Sequence, residues 1–365
     1  MLYIGTSFTQ KEYLIGHKFG VTILSTEDGS TLAEVKGFGG VSLCASPGGW
    51  RNLAIVGTCE ERTLSDEGKA PSIPDQNFNI RNPGPRTVAL VEGDEVKGRI
   101  PMPTQIVNIK MTSKLLIVVL EYSVEVYELN EDFSGGDLRL REETQQNLSG
   151  ACDVTPDGMY LLIPGKELGS VVMYSLESFT LKSKSNSNHA HPVAALAASN
   201  SGSLVASGST QSVEARLGKC EESVLKMDLR FKRGTKWSQI TSLAFSKDDK
   251  YFALGSNSDK RTFHFYSTEK GAEGITNWME SWTKREARKE IGKVNAAAAG
   301  VVVFLPVDGE DRIEGEGEKE KEKEKEEEEK ENKFSIVTQD LKFYKGVIKK
   351  DMSVETSIIK ETIKI

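Results

Sequence analysis

Cysteine is scarce and scattered. Cys44, Cys59, Cys152 and Cys220 form no Cys-x-x-Cys pair, which argues against a disulfide scaffold or structural zinc site and suits a reducing compartment. Histidine is equally thin, and His17, His189, His191 and His264 are too dispersed for an evident metal centre, so neither a metal nor a cofactor is expected. The chain has no G-x-S-x-G elbow, P-loop or H-E-x-x-H. Its Gly37-Phe38-Gly39-Gly40 run lacks the helix that a dinucleotide site needs. No catalytic residues are assigned, and an enzyme is not expected. Long apolar runs are missing too. The longest, Ala296 to Val307, is interrupted by Gly300 and Pro306 and falls well short of the roughly 20 residues of a membrane span. The N-terminus shows no basic segment followed by an apolar one, so no secretory signal is expected. Any membrane contact is expected to be peripheral.

The chain also lacks a global field. Its 365 residues carry a formal charge of −7, but residues 309–333 alone hold thirteen acids and seven bases. Without them, forty bases face forty-one acids. A near-neutral body with no long basic stripe argues against nucleic acid as a partner.

What the chain does have is a repeat. Residues 150–177, 192–217 and 240–267 each read as a short apolar strand, a polar turn, a second strand, another turn and a third strand. The turns Thr155–Gly158, Ser199–Gly202 and Ser246–Asp249 recur every 44 to 47 residues. A multi-strand unit of about 40–45 residues is the period of a propeller blade. Looser copies lie at 11–25, 52–57 with 87–93, 106–129 and 333–348. The expected fold is all-β: a single WD40-like, seven-bladed β-propeller over 1–365. Two insertions interrupt it. Residues 58–86 are polar and proline-rich, a long loop. Residues 309–333 are charged and of low complexity, which predicts disorder.

Several motifs in register with these blades resemble one family. Phe231-Lys232-Arg233-Gly234 is followed by Leu243-Ala244-Phe245-Ser246 and then by Ser258-Asp259-Lys260-Arg261-Thr262-Phe263-His264. Upstream lies His189-Ala190-His191-Pro192-Val193-Ala194-Ala195-Leu196. The stretch 229–267 looks like the junction of blades five and six in the PROPPIN family, phosphoinositide-binding propellers that include the WIPI proteins. With Phe8–Gly16 and Leu53–Gly57, the resemblance covers roughly residues 7–270.

The motif also makes physical sense by itself. Neighbours on a strand point to opposite faces, so Lys232 and Arg233 address two different clefts. Arg offers a planar fork matched to phosphate, Lys only a point charge. The window 216–236 holds seven bases against three acids, a local anion-attracting patch. The resemblance implies one headgroup pocket from Arg233, Ser258, Thr262 and His264. It implies another from Lys232, His189, Ser212 and an arginine of the preceding strand. Spacing from Ser212 puts that arginine position at Ala215, leaving Arg216 expected to point the other way unless the strand carries a bulge. Arg233 is therefore expected to dominate binding and Lys232 to matter less.

After the third strand of this blade, Ile275, Trp278, Met279 and Trp282 recur at i, i+3, i+4 and i+7 beside five bases and three acids. Such an aromatic stripe suits a membrane interface, and the family has a membrane-inserting loop in this slot, here 268–294. A helix packed on the propeller wall would show the same stripe.

The implied role is recruitment. The chain would be cytoplasmic, and would bind phosphatidylinositol 3-phosphate or the 3,5-bisphosphate on autophagosome precursors, endosomes or vacuolar membranes. Its other faces would be presented to autophagy proteins. A WD-repeat interaction scaffold without lipid affinity is the alternative.

Overall fold

The computed structural model describes residues 3–58, 83–186, 188–221, 223–258, 262–268, 287–288, 290–296, 300–305, 332–349 and 353–360. Every regular element among them is a β-strand. Among the described residues the strands form five four-stranded antiparallel sheets and one nine-stranded sheet, in which two four-stranded antiparallel units are joined by a parallel pair and a short strand is added; the seven four-stranded units in chain order are here sheets one to seven. They divide between two compact units. The first, up to Gly150 apart from Thr26–Asp28, holds sheets one to three; the second, from Ala151 on with Thr26–Asp28, holds sheets four to seven.

The inner strands are apolar on both faces because sheets stack on both sides of them. Leu115–Leu120 (LLIVVL) is buried at every position, as is Val193–Ala198. Within the first unit, one core joins sheets one and two through Leu14, Ile23, Phe38, Leu53 and Ile55. Another joins sheets two and three through Val56, Leu90, Ile109 and Val118. In the second unit, Leu162 and Met173 meet Leu196 and Val205. Phe231 and Leu217 meet Phe252 and Tyr266, and Phe265 meets Phe304 and Phe334. At roughly 25 cal/mol per Å² of apolar surface buried, these faces supply most of the folding free energy.

A chemical signature accompanies the repeat. The first strand of each of sheets one to six is followed at once by a buried hydroxyl: Ser7, Ser46, Thr112, Thr155, Ser199 and Ser246. Most accept from a backbone N–H a few residues on. The Tyr160 N–H reaches Thr155 Oγ1 at 2.9 Å, Leu204 N–H reaches Ser199 Oγ at 3.0 Å, and Tyr251 N–H reaches Ser246 Oγ at 2.9 Å. Half-buried turn amides are thus satisfied by side chains.

Outer strands escape the sequence pattern. Thr31–Lys36, Glu95–Pro101 and Gly136–Glu143 are mostly exposed and interleave charged with apolar residues, so no apolar run marks them. Asn332 and Lys333, the last residues of the charged run, begin a strand of sheet seven, Asn332–Thr338; residues 306–331 lie outside the described set. The segment 268–294 likewise ends in strand. Ala287–Arg288 and Glu290–Asn295 are both extended, and the latter is the fourth strand of sheet six.

Sheet five positions the site. Its strands are Val193–Ala198, Leu204–Ser209, Glu214–Glu221 and Val224–Lys232. The outermost, Val224–Lys232, pairs in parallel with Leu181–Ser185 of sheet four at one end, and with Ala287–Arg288 at the other. Because strands alternate in direction, its C-terminal end, the start of Ile240–Phe245 and the turn after Tyr251–Ser256 share one edge of the second unit.

Candidate functional site

Two grooves flank sheet five at that edge, and alternation along its outer strand assigns residues to them. Leu229 and Phe231 pack on sheet six, where the Phe231 ring lies 5.2 Å from both Phe252 and Tyr266. Lys232 faces the other way and is exposed. Arg233, two residues beyond Phe231, returns to the sheet-six side. Its N–H donates to Val213 O at 2.8 Å, and the Tyr266 hydroxyl donates to Lys232 O at 2.8 Å. The motif backbone is thereby fixed from both neighbours.

In the sheet-six groove Arg233 is only 8% exposed. Its Nη2 donates to the carbonyls of Ser212 (3.4 Å) and Lys236, while its Nε is buried with no hydrogen-bond partner. No carboxylate pairs with it among the described residues, and burial pulls its pKa below the usual arginine value. Thr262 and His264 lie two apart on Thr262–Ser267 and are both buried. The His264 Nδ1 is 2.8 Å from Glu290 Oε2. Burial lowers the His264 pKa; Glu290 opposes this, and the nearby charges of Arg233 and Lys293 add to it. Lys293 is paired directly across from His264 and is exposed. Ser258 sits half-buried on the turn at the same edge, its Oγ 3.5 Å from Ser256 Oγ. The structure therefore places Arg233, Thr262 and His264 on one face, with Ser258 at its rim.

The opposite groove holds a different arrangement. Lys232 is paired across from Glu214, and Arg230 across from Arg216, so all four share a face. Arg216 also lies opposite Ser207, whose hydroxyl is 2.8 Å from His189 Nε2. The orientation expected for Arg216 is thus corrected. It shares the face of Lys232, and Ala215 is the residue turned into the sheet-six core. Ser212 sets this parity. Its Oγ donates to Glu214 O at 2.5 Å and accepts from Glu214 N–H at 3.1 Å, an ST turn that starts the strand at Glu214. His189 is held by a close approach: Asn188 N–H donates to Gly169 O at 3.1 Å. Gly169 has φ +72°, and a Cβ there would strike the His189 backbone. Desolvation, with Arg216 close by, drives the His189 pKa down to about 4.

Sequence reasoning missed Glu214, whose Oε1 is 3.1 Å from Arg216 Nη2 and 3.7 Å from Arg230 Nε. The signal was present, because Glu-x-Arg on a strand puts both charges on one face. The basic window simply began two residues too late. Glu290 and Lys293 were missed because their strand was read as part of a loop. Ile275, Trp278, Met279 and Trp282 lie outside the described residues. Among the described residues, no cluster of three or more His, Cys, Asp or Glu side chains could hold a metal ion.

No protein-family model matches the chain. Among curated proteins it is 30% identical over 179 residues to the "WD repeat domain phosphoinositide-interacting protein 2" of Xenopus laevis, covering 48% of this chain and 39% of that one. It is 25% identical over 185 residues to "Autophagy-related protein 18" of Dictyostelium discoideum, covering 48% and 47%. These are PROPPIN-type proteins, and the chain spans less than half the length of each. Among solved structures it superposes on Hsv2 of Kluyveromyces marxianus with a TM-score of 0.66 at 12% identity, covering 100% and 98% of the two chains. It superposes on KlAtg21, in complex with the coiled coil of AgAtg16, with a TM-score of 0.66 at 14% identity, covering 98% and 97%. At such identities the likeness establishes the fold. The chain is an all-β, seven-bladed β-propeller, one four-stranded antiparallel unit to a blade.

Proposed function

We propose that this chain is a non-enzymatic β-propeller effector that binds phosphorylated inositol headgroups. It docks peripherally on cytoplasmic membranes carrying phosphatidylinositol 3-phosphate or the 3,5-bisphosphate, and recruits autophagy proteins there. One observation carries the reading. Arg233 is a buried guanidinium whose Nε has no hydrogen-bond partner and which is ion-paired with no carboxylate among the described residues, the Glu290 carboxylate being bonded to His264. A buried charge without a partner is costly, and the cost is offset when an anion binds. Phosphate suits the vacancy, because the guanidinium fork matches its oxygens and Thr262 and His264 add donors on the same face. The relatives' names, a phosphoinositide-interacting protein and an autophagy-related one, point the same way.

Flotation on phosphatidylcholine vesicles with and without phosphatidylinositol 3-phosphate tests this. Wild type should float only with the phosphoinositide, and Arg233→Lys should bind weakly because a point charge replaces the fork. A wild-type protein that stays in the unbound fraction with either phosphoinositide would return the chain to a scaffold without lipid affinity.

A further inference from the structure

Beside these grooves the same edge carries apolar side chains that neither the repeat nor the headgroup reading uses. Trp237 follows the motif on the loop joining sheets five and six and is 64% exposed. Its ring is not loose. His191, on the loop joining sheets four and five, meets it edge-on at a centroid distance of 5.8 Å. That second loop also carries His189, and it is bonded to the turn between Tyr160–Pro164 and Val171–Ser175 through Asn188 N–H and Gly169 O. On this turn, next to Gly169, Leu168 is 51% exposed. Two large apolar side chains are therefore held out to solvent by three loops at one edge of the second unit, tied to the backbone that fixes His189. The cations Lys232 and Lys236 are exposed beside Trp237. The carboxylates nearby are engaged: Glu214 with Arg216, and Glu167 with Lys184 at 2.7 Å.

We propose that Trp237, seconded by Leu168, is a membrane-contact element that enters the headgroup–acyl boundary of an anionic bilayer while the grooves hold inositol phosphate. The occupant is identified by chemistry. An amphipathic indole flanked by lysines matches the interfacial zone, where tryptophan is favoured and anionic lipid attracts cations. An exposed ring in water, by contrast, gains nothing. The arrangement rests on the lipid-binding reading and adds a second, apolar source of affinity. It acts on the same rigid body as the headgroup contacts, so the two multiply rather than add.

Two measurements test it. A variant with Trp50, Trp278 and Trp282 changed to Phe leaves Trp237 as the single tryptophan of the four. On phosphatidylcholine vesicles containing phosphatidylinositol 3-phosphate, its emission should shift to the blue and be quenched by bromine-labelled acyl chains. Trp237→Ala in the otherwise native chain should weaken vesicle binding by about tenfold, while affinity for soluble inositol 1,3-bisphosphate stays within twofold of native. Flotation with unchanged, unquenched Trp237 emission overturns this inference and leaves the headgroup reading standing. Equal loss of vesicle and soluble-headgroup binding in Trp237→Ala also overturns it, placing the residue in the pocket instead. Failure of wild type to float removes the headgroup reading and this inference together.

Discussion

The two grooves beside sheet five start from adjacent residues and end in opposite electrostatic states. On the sheet-six side, Arg233 is buried, donates to neutral backbone carbonyls and is ion-paired with no carboxylate among the described residues, Glu290 being bonded to His264 instead. On the other side, Lys232, Arg216 and Arg230 share their face with Glu214, which sits between the two arginines. One groove holds a buried guanidinium that no carboxylate pairs with, while Glu290 beside it is taken by His264; the other holds several cations around a carboxylate that is bonded to them. What decides how strongly an anion is drawn is not how many cations a segment contains but which of them a carboxylate has already claimed.

The largest test of this contrast is Arg233→Met. If the guanidinium is kept for an anion, removing it abolishes vesicle binding, a loss of at least about a hundredfold for a charge-assisted fork to phosphate. The same substitution should leave the thermal midpoint unchanged or raised, because an apolar side chain replaces an uncompensated buried charge. Vesicle binding that survives while the midpoint falls would recast Arg233 as a structural residue that holds Ser212 and Lys236.

Next in size is Glu214→Gln. Releasing Arg216 and Arg230, which are half-buried, should strengthen binding by about three- to tenfold, and steepen its salt dependence, since the freed charges remain within reach of screening ions. In that background Lys232→Ala should cost more than it does in the native chain, where a loss of about threefold is expected for one exposed lysine. No gain from Glu214→Gln would mean that the opposite groove takes no part in binding, and the comparison would reduce to one site.

Much of this was legible beforehand, for physical reasons that also explain the gaps. Inner strands such as Asn52–Gly57 and Leu115–Leu120 are buried on both faces, so they write themselves as apolar runs bounded by turns. The splay of Lys232 and Arg233 follows from strand alternation alone. Arg216 was misread because alternation was counted through Ser212, whose hydroxyl turns the backbone and resets the parity. Glu290 and Lys293 went unseen because the fourth strand of sheet six pairs, among the described residues, on one side only and needs no apolar pattern. Outer strands are set by hydrogen bonding to a sheet already formed, which composition does not record.

The smallest effect on binding, and the sharpest on stability, concerns the histidines. His189 is 7% exposed with a pKa of about 4, so it is neutral at pH 7 and stays so down to about pH 5. Vesicle binding should therefore change less than about twofold between pH 7.5 and pH 6.5, since His264 is also held below the ordinary imidazole value. Stability behaves differently. The unfolded chain binds a proton at His189 near pH 6.5, and the folded one only near pH 4. The contribution of this residue is full above the unfolded value and is lost as pH falls through that window, reaching roughly 3 kcal/mol in total. His189→Gln should flatten the slope of unfolding free energy against pH between about 6.5 and 4, whatever it does to the absolute midpoint. An unchanged slope would mean that His189 is not the buried neutral base beside Arg216. The opposite groove would then have to be redrawn with a charged imidazole adding to its cations.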